Sequence, residues 1–417
     1  MAEGKNKTTK KKKTTKNQEP LIKIIKAVSV ILVMLVLLFI AADTFGNITF
    51  SSVGDYVNSV ISGTKRGNGY PYYFENLSAN DIKPIGSDFL ILANDSTIVL
   101  DSTARRVSTL QHTYSNPIVD SVGSRALMID VGETSYRVQS KTKVLYEGKT
   151  KQKILTGAIG RNGTIGLAVR GEASVSELIV LDKNQKEVFR WACAKENIIG
   201  IDISDNGKKA AVILVGAENG ELYTKVVVFD FAYAEPINQL DFAGKIISKV
   251  EFLYGNNLLI TGEKTFCLLN NLKDKKEEDL SLNTLSRICT SDSNISVCVL
   301  SKYGSATSKI VKVYNKKGDL LFETEINKGI RSVSTDGSNI SILTDNEIIN
   351  YNRKGKEIGR MEVESDGIKV FTLGTYTYEW TTSKIDCYRT IGEKEKHTEK
   401  NVLNETTSSQ STEKAIA

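Results

Sequence analysis

The chain has 417 residues, enough for one large domain or two to three ordinary ones, and its 40% hydrophobic and 25% charged residues are typical of a globular protein. Of the net charge of +6, residues 1–26 supply +7 through nine lysines and two glutamates, which leaves −1 for the remainder. Because nucleic-acid binding draws on a basic face to replace counterions, the near-neutral remainder argues against a nucleic-acid partner.

The N-terminal region predicts a tail followed by a membrane anchor. Residues 1–20 are rich in Lys, Thr, Asn and Gln without an apolar pattern, which indicates a disordered basic tail. Residues 27–42 (AVSVILVMLVLLFIAA) form a run of sixteen residues without charge. A helix needs about 20 residues to cross the hydrocarbon core, and lysines such as Lys23 and Lys26 can extend their amines to the head groups. We therefore predict a transmembrane helix over residues 21–42.

The lysine excess before this segment predicts a single-pass protein with a cytoplasmic N-terminus and with residues 43–417 outside the membrane. One alternative is a cleaved signal peptide, but cleavage after Ala42 would leave Ile40 where a small residue is needed. A buried core helix is the other alternative, and little else in the sequence has a helical pattern that could pack around it. Residues 43–69 read as a juxtamembrane linker, with a short amphipathic helix over residues 50–61.

From residue 70 to residue 391 the pattern changes to short strands with frequent turns. Turns such as Asn162-Gly163, Asp205-Asn206-Gly207 and Asp336-Gly337 supply the positive φ angles that tight hairpins need. Eight four-strand units are predicted to begin near Ile82, Pro117, Ile154, Ile198, Ile246, Ser286, Ile330 and Gly367. Four antiparallel strands every 40–45 residues or so are typical of a β-propeller blade.

We therefore predict an all-β fold, a β-propeller of eight blades preceded by one transmembrane helix. Seven blades is the alternative, if the irregular residues 273–281 hide a misplaced boundary. The last unit, Gly367–Ile391, offers only three strands, and the segment Tyr70–Leu77 is the predicted fourth strand that would close the ring. Residues 392–417 are polar and predict a disordered C-terminal tail.

The sequence lacks the motifs of common catalytic sites. It has two histidines, His112 and His397, and no HExxH, GxSxG or Walker sequence. His112 follows a predicted outer strand, where a surface residue is the usual interpretation. The 49 Asp and Glu residues include no pair that stands out by its spacing, so acid–base hydrolysis by paired carboxylates stays open but unassigned. No catalytic residue is predicted.

No metal site and no cofactor are predicted. Several aspartates fall at predicted strand ends or turns, where a short carboxylate usually binds local backbone amides rather than calcium: Asp101, Asp182, Asp202, Asp230 and Asp386. The five cysteines include no CxxC pair. Cys289 and Cys298 could pair across a hairpin, although buried free thiols are the commoner arrangement.

Aromatic residues give the one candidate binding surface. Alternation places Tyr376, Tyr378 and Trp380 on one face of a strand. These three could form a stacking patch for a sugar or a peptide, or they could pack the last blade against the first. Phe189 and Trp191, on a predicted outer strand, are expected to pack between blades.

The segment Ile203-Ser204-Asp205-Asn206-Gly207-Lys208-Lys209-Ala210-Ala211-Val212 resembles the hairpins of bacterial WD40-like and quinoprotein-like propellers. The longer pattern resembles an uncharacterised family of membrane-anchored propellers from clostridia-type Gram-positive bacteria. The residues that carry this resemblance are Tyr114-Ser115-Asn116-Pro117, Tyr136-Arg137-Val138 and Val227-Val228-Phe229-Asp230-Phe231. The resemblance implies a fold and a location but no activity, and the sequence lacks the repeated tryptophans of quinone-binding propellers.

These observations predict a propeller held outside the cytoplasmic membrane as a non-catalytic binding or scaffold module of the cell envelope. The expected partner is an envelope protein or peptide, bound by loops between blades such as Lys195–Asn197 and Asn327–Gly329. The alternative is an envelope-directed hydrolase or lyase that uses carboxylates in the propeller channel. A channel lined by small and apolar residues would argue against that alternative.

Overall fold

The computed structural model describes residues 67–392, apart from residues 76, 255, 279, 281–282, 292–294 and 306. Regular structure within these residues consists of strands, and no helix there is long and apolar enough to cross a membrane. The predicted transmembrane helix over 21–42, the two predicted tails and most of the predicted linker lie outside the described residues.

Thirty-two strands form eight four-stranded antiparallel sheets, which are the blades. Blades 1 to 4 contain, in order, β2 (Ala79–Ile85), β3 (Asp88–Ala93), β4 (Ser96–Leu100) and β5 (Arg106–Gln111); β6 (Pro117–Val122), β7 (Arg125–Asp130), β8 (Ser135–Ser140) and β9 (Val144–Lys149); β10 (Ile154–Ile159), β11 (Ile165–Arg170), β12 (Ser176–Leu181) and β13 (Glu187–Cys193); β14 (Asn197–Ile203), β15 (Lys209–Glu218), β16 (Glu221–Asp230) and β17 (Asn238–Ala243).

Blades 5 to 8 continue the same order, except that the outer strand of blade 8 comes from the start of the domain. They contain β18 (Ile247–Leu253), β19 (Asn257–Gly262), β20 (Thr265–Asn270) and β21 (Asp274–Glu278); β22 (Thr284–Thr290), β23 (Ile295–Ser301), β24 (Ser308–Asn315) and β25 (Leu320–Asn327); β26 (Ile330–Thr335), β27 (Asn339–Thr344), β28 (Glu347–Asn352) and β29 (Glu357–Glu362); β30 (Gly367–Leu373), β31 (Tyr376–Thr381), β32 (Lys384–Arg389) and β1 (Tyr72–Tyr73).

The eight-bladed propeller predicted from the repeat is confirmed, and the seven-bladed alternative is wrong because residues 274–278 form a regular outer strand, β21. The predicted closure is also present. In β1, Tyr72 pairs with Ile385 and Tyr73 with Lys384 of β32, and the backbone N–H of Phe74 donates to Ser383 O at 2.8 Å. The ring is therefore completed by a strand that precedes all the other blades in sequence.

The hydrophobic core is divided into eight clusters, each made by two neighbouring blades. In β15, Ala210 and Val212 pack towards blade 3, whereas Ala211 and Ile213 pack towards blade 5. Because both faces of the middle strands are covered, these strands are continuous apolar runs rather than the strict alternation of a half-exposed sheet. Outer strands such as β5 and β29 consist instead of exposed and half-buried residues.

Strand direction sorts the connections onto two faces of the ring. In blades 1 to 7 the turns from first to second strand and from third to outer strand lie at the same end of the sheet, as does the first turn of blade 8, and we call this end the turn face. The second-to-third connections and the connections between blades lie at the other end, the loop face. Gly207 and Gly337 have φ of 65° and 89° in turns of the turn face, which confirms the hairpin prediction from Asp-Asn-Gly and Asp-Gly.

Both described ends of the chain lie at the turn face. The backbone N–H groups of Gly67 and Gly69 donate to Thr103, in the turn between β4 and β5, at 2.8 and 3.0 Å. At the other end, the N–H of Gly392 donates to Ile358 O, near the start of β29, at 3.0 Å. Residues on either side of the propeller therefore leave from this face.

Candidate binding site in the central channel

The inner strands of the eight blades surround a central channel, and most of them carry the same irregularity. Seven of the eight have a β-bulge close to the loop face, and β6 is the exception. The extra residues are Asn80, Leu155, Ile199, Ser248, Ser286, Arg331 and Ile368. A bulge leaves one residue unpaired and re-aims its side chain. The mouth of the channel at the loop face is thus surrounded by residues that have no partner in the neighbouring strand.

Below this mouth, a cavity of about 480 Å³ lies between the inner strands of blades 1 to 6. Its lining includes Asp120 of β6, Asp202 of β14 and Glu251 of β18, together with Lys83 of β2 and Lys249 of β18. The channel is therefore lined by charged groups, with apolar Ile118 and Ile199 at the mouth. This result leaves the carboxylate-based alternative open.

Two of the carboxylates tie neighbouring blades together. Asp120 Oδ2 accepts the backbone N–H of Ile159 in the next blade at 2.9 Å, and Asp202 Oδ2 accepts that of Phe252 at 2.5 Å. Burial raises the pKa of both carboxyls, and these hydrogen bonds only partly oppose it. The pKa of Asp202 lies well above its ordinary value, and the nearby charges of Glu251 and Asp120 raise it further.

The third carboxylate belongs to an ion pair. Lys249 Nζ lies 2.5 Å from Glu251 Oε2, and the Thr290 hydroxyl of the next blade donates to Glu251 Oε1. Burial lowers the pKa of Lys249, but the charge and hydrogen bond of Glu251 outweigh that effect, so the pKa is raised. Across the channel Asp81 lies 3.4 Å from Lys83 and 3.5 Å from Lys369. Each of these charged side chains therefore lies beside an opposite charge or a backbone donor.

The arrangement of the channel carboxylates differs from what the sequence predicts. The turn chemistry predicted for Asp202 is wrong, because this residue lies within β14 and binds the backbone of another blade. Sequence reasoning also missed Asp120 and Glu251, and their positions within the predicted inner strands of their units are the only signal that could have found them.

Of the other four aspartates predicted to bind backbone amides of their own turns, three do so and one does not. The carboxylates of Asp101, Asp182 and Asp230 accept backbone N–H groups of their own turns. Asp386 instead lies in β32 beside Lys384, where the two side chains form an ion pair at 2.9 Å. Its predicted turn role is therefore wrong, because Asp386 lies within β32 and its carboxylate binds a lysine of the same strand.

The predicted aromatic patch is divided by the structure. Tyr378 and Trp380 are 2% and 6% exposed and pack against blade 1, whereas Tyr376 is 43% exposed. Of the three residues, only Tyr376 is exposed to solvent, and a binding role for it stays a prediction. Phe189 and Trp191 contact Phe229 of blade 4 with ring centroids 5.3 and 4.9 Å apart, which confirms the expected packing between blades.

The cysteines and His112, the residue types that could be reactive, lie in the packed parts of the blades. All five cysteines are free, and Cys289 and Cys298 lie in different clusters on opposite sides of their blade, which excludes a disulfide between them. His112 is half-buried, and its Nε2 lies 3.2 Å from Ala93 O. Among the described residues no group of three His, Cys, Asp or Glu side chains could hold a metal ion.

A second cavity, of about 250 Å³, lies between blades 7 and 8 and contains a buried acid. Glu379 is 1% exposed; its Oε2 accepts the Tyr388 hydroxyl at 3.2 Å, and its Oε1 is buried with no hydrogen bond. Burial, aided by the charges of Asp386 and Asp366, raises the pKa of Glu379 to about 7, although the Tyr388 hydrogen bond and Lys384 oppose the shift.

The raised pKa of Glu379 predicts that the stability of the folded protein depends on pH. Because the pKa of Glu379 rises from 4.5 to about 7 on folding, the folded chain holds a proton that the unfolded chain releases. Stability should therefore fall as the pH rises through this window, by about 3 kcal/mol. We expect urea unfolding between pH 4.5 and 8 to show this loss in the wild type relative to Glu379→Gln. The exposed Glu362→Gln, in the same cavity, should behave like the wild type; equal slopes for all three chains would contradict the prediction.

With the fold and channel described, comparisons with known proteins identify the family. A sequence model described as a family of unknown function, DUF5711, matches residues 70–386. The chain belongs to the DUF5711 family. The match covers the whole propeller from the closing strand to β32, so the DUF5711 domain is the eight-bladed ring itself. No curated protein has a sequence that matches this DUF5711 chain.

Solved structures show what the DUF5711 ring is similar to. The C-terminal WD40 domain of Sif2 is 12% identical over 78% of this chain and 99% of its own, with a TM-score of 0.54. Sqt1 of Saccharomyces cerevisiae is 10% identical over 78% of this chain and 100% of its own, with a TM-score of 0.51. BamB of Moraxella catarrhalis is 13% identical over 77% of this chain and 100% of its own, with a TM-score of 0.47. At these identities the likeness to Sif2 and Sqt1 shows the propeller fold alone.

Proposed function

We propose that this DUF5711 protein is a non-catalytic binding or scaffold module of the cell envelope, anchored by residues 21–42 with its propeller outside the cytoplasmic membrane. The observation that carries the binding role is the channel. Its carboxylates are engaged in ion pairs or backbone hydrogen bonds that tie blades together, while its mouth presents unpaired bulge residues. The anchor and its direction rest on the apolar run and the lysine excess before it.

The expected partner is an envelope protein or peptide that docks at the channel mouth on the loop face. Ile199 and Ile368 at bulges, and Ile118 on β6, are 44%, 42% and 40% exposed, which gives the mouth three exposed apolar side chains above a charged interior. A peptide with an apolar segment next to a charged side chain has the matching chemistry. The WD40-like fold places such loops on a rigid ring, so little ordering is needed on binding.

The topology is tested by labelling cysteines from outside. Glu172→Cys, exposed on the loop face, should react with a membrane-impermeant maleimide in intact protoplasts, whereas Asn6→Cys in the predicted tail should react only after lysis. The parent chain is the control, because three of its five cysteines are buried and the other two are half-buried. Labelling of position 6 before lysis, with position 172 protected, would overturn the orientation.

The binding role is tested by a pair of matched substitutions. Ile199→Asp, at the channel mouth, should abolish cross-linking to an envelope partner in protoplasts. Val188→Asp, on the outer strand β13 and similarly exposed at 41%, should leave cross-linking unchanged. If both variants cross-link like the wild type, the mouth is not the binding surface.

A second candidate function, an envelope-directed hydrolase or lyase, is favoured by one observation. Asp120 and Asp202 line the same cavity, and burial raises the pKa of both, as an acid catalyst requires. Purified full-length protein would then release fragments from isolated envelope glycan or peptide, and Asp202→Asn would abolish the release. Release by the wild type but not by the folded variant would replace the binding proposal with the enzymatic one.

A further inference from the structure

The two faces of the propeller differ in charge although the sequence outside residues 1–26 is nearly neutral. The described turns of the turn face contain thirteen lysines and arginines and six acidic residues, a balance of +7. The described connections of the loop face contain seven basic and nine acidic residues, a balance of −2. Averaging over the chain hides this separation, which arises because alternate connections of every blade go to opposite ends of the sheet.

The basic excess of the turn face comes from turns between third and outer strands. Lys183 in blade 3, Lys317 in blade 6 and Lys354 in blade 7 are exposed, and none has an ion pair among the described residues. By contrast, Lys141 lies 3.0 Å from Asp88 and Arg161 lies 3.4 Å from Asp205. Unpaired lysines on several blades form a broad positive surface rather than a pocket, which suits an extended anionic partner.

The same face carries exposed apolar groups. Tyr233 and Ile237, in the turn after β16, are 62% and 41% exposed. Tyrosine combines an apolar ring with a polar hydroxyl, and such residues are enriched where a protein meets the membrane–water boundary.

The positions of the two described chain ends indicate which anionic surface lies near the turn face. Gly67 and Gly392 both lie at the turn face, so the connection to residues 21–42 leaves from there. We propose that the turn face docks on the anionic phospholipid headgroups of the membrane in which the protein is anchored. This inference rests on the proposed anchor, and it directs the channel mouth on the loop face away from the bilayer, towards the envelope.

The test uses the full-length protein added to vesicles of phosphatidylcholine, alone or mixed with phosphatidylglycerol. A dye is placed at exposed Ser338→Cys on the turn face or at Glu172→Cys on the loop face, and energy transfer to a headgroup-labelled lipid is measured. We expect strong transfer from position 338 and weak transfer from position 172 with phosphatidylglycerol, and loss of the difference in high salt. Equal transfer from both positions in both kinds of vesicle would overturn the docking.

Charge reversal supplies the matched control. Lys183→Glu, Lys317→Glu and Lys354→Glu together should lower the docking equilibrium constant at least about tenfold. Lys151→Glu, Lys195→Glu and Lys264→Glu, on the loop face, change the net charge equally and should leave it unchanged. An equal loss in both triple variants would show an effect of net charge alone and would overturn the specific orientation.

The anchor and the docking fail in distinguishable ways. Protein that resists a high-salt wash on both kinds of vesicle is inserted, whatever the dye reports. Protein that binds only phosphatidylglycerol vesicles and is removed by salt lacks the anchor but docks. Failure to bind either vesicle contradicts both proposals. If inorganic polyphosphate changes the signal at position 338 while phosphatidylglycerol does not, the face recognises a soluble polyanion and the lipid proposal is wrong.

Discussion

Replacing Tyr378 by alanine should lower the free energy of unfolding by about 3–5 kcal/mol, because it removes a buried aromatic ring from the junction that closes the propeller. Tyr378 is 2% exposed, and its ring lies 4.8 Å from that of Phe89 in blade 1 and 5.1 Å from that of Tyr70 beside the closing strand. Its loss would leave a cavity shared by blade 8, blade 1 and the residues before β1. Urea unfolding followed by intrinsic fluorescence measures the effect.

Tyr376→Ala is the control for this prediction. Tyr376 lies on the same strand but is 43% exposed, and its ring is 6.4 Å from that of Tyr378. We expect a loss below about 1 kcal/mol. Equal destabilisation by the two substitutions would contradict the division between packing and exposed residues.

Arg137→Ala should be comparably destabilising, by about 3–5 kcal/mol, because Arg137 is a buried cation that joins two blades. Arg137 is 1% exposed; its guanidinium donates to Gln111 O at 2.7 Å and to Thr97 Oγ1 at 3.2 Å, both in blade 1. Alanine would leave a cavity and a carbonyl without its donor. Arg137→Lys keeps the charge but cannot reproduce the two-pronged geometry, so it should recover only part of the loss.

Arg190→Ala provides the comparison for Arg137. The Arg190 side chain is 45% exposed and pairs with Glu177 and Glu187, each at 2.7 Å. Solvent screening reduces the value of such pairs, so we expect a loss below about 1 kcal/mol in the same urea measurement. A loss for Arg137→Ala as small as that for Arg190→Ala would show that the buried guanidinium does not hold blades 1 and 2 together.

The fold was readable from the sequence because each blade carries its own local signals. Turn residues such as Gly207 and Gly337 specify hairpins without reference to the rest of the chain, and their repetition gives the number of blades. The closing strand at Tyr72–Tyr73 could be inferred because the last unit lacked a strand. The anchor over residues 21–42 stays a prediction.

The site was harder to predict because it depends on contacts between blades. Asp202 resembles a turn aspartate in sequence, and only the ring brings it to the N–H of Phe252. The bulges that frame the channel mouth shift the pairing by one residue, which a repeat of apolar positions does not reveal. The difference in charge between the two faces was also not visible in the sequence, since strand direction rather than composition separates the basic turns from the acidic loops.

The way the ring closes has a consequence for how the protein is made. β1 is synthesised before the other strands of the propeller, yet its partner among the described strands, β32, is the last of them. During synthesis, β1 therefore stays without its strand partner until the rest of the propeller has been made. A chain arrested before β32 would therefore expose the unpaired edge of β31 in blade 8 and the unpaired strand β1. Quality-control proteases could distinguish this state from the finished ring.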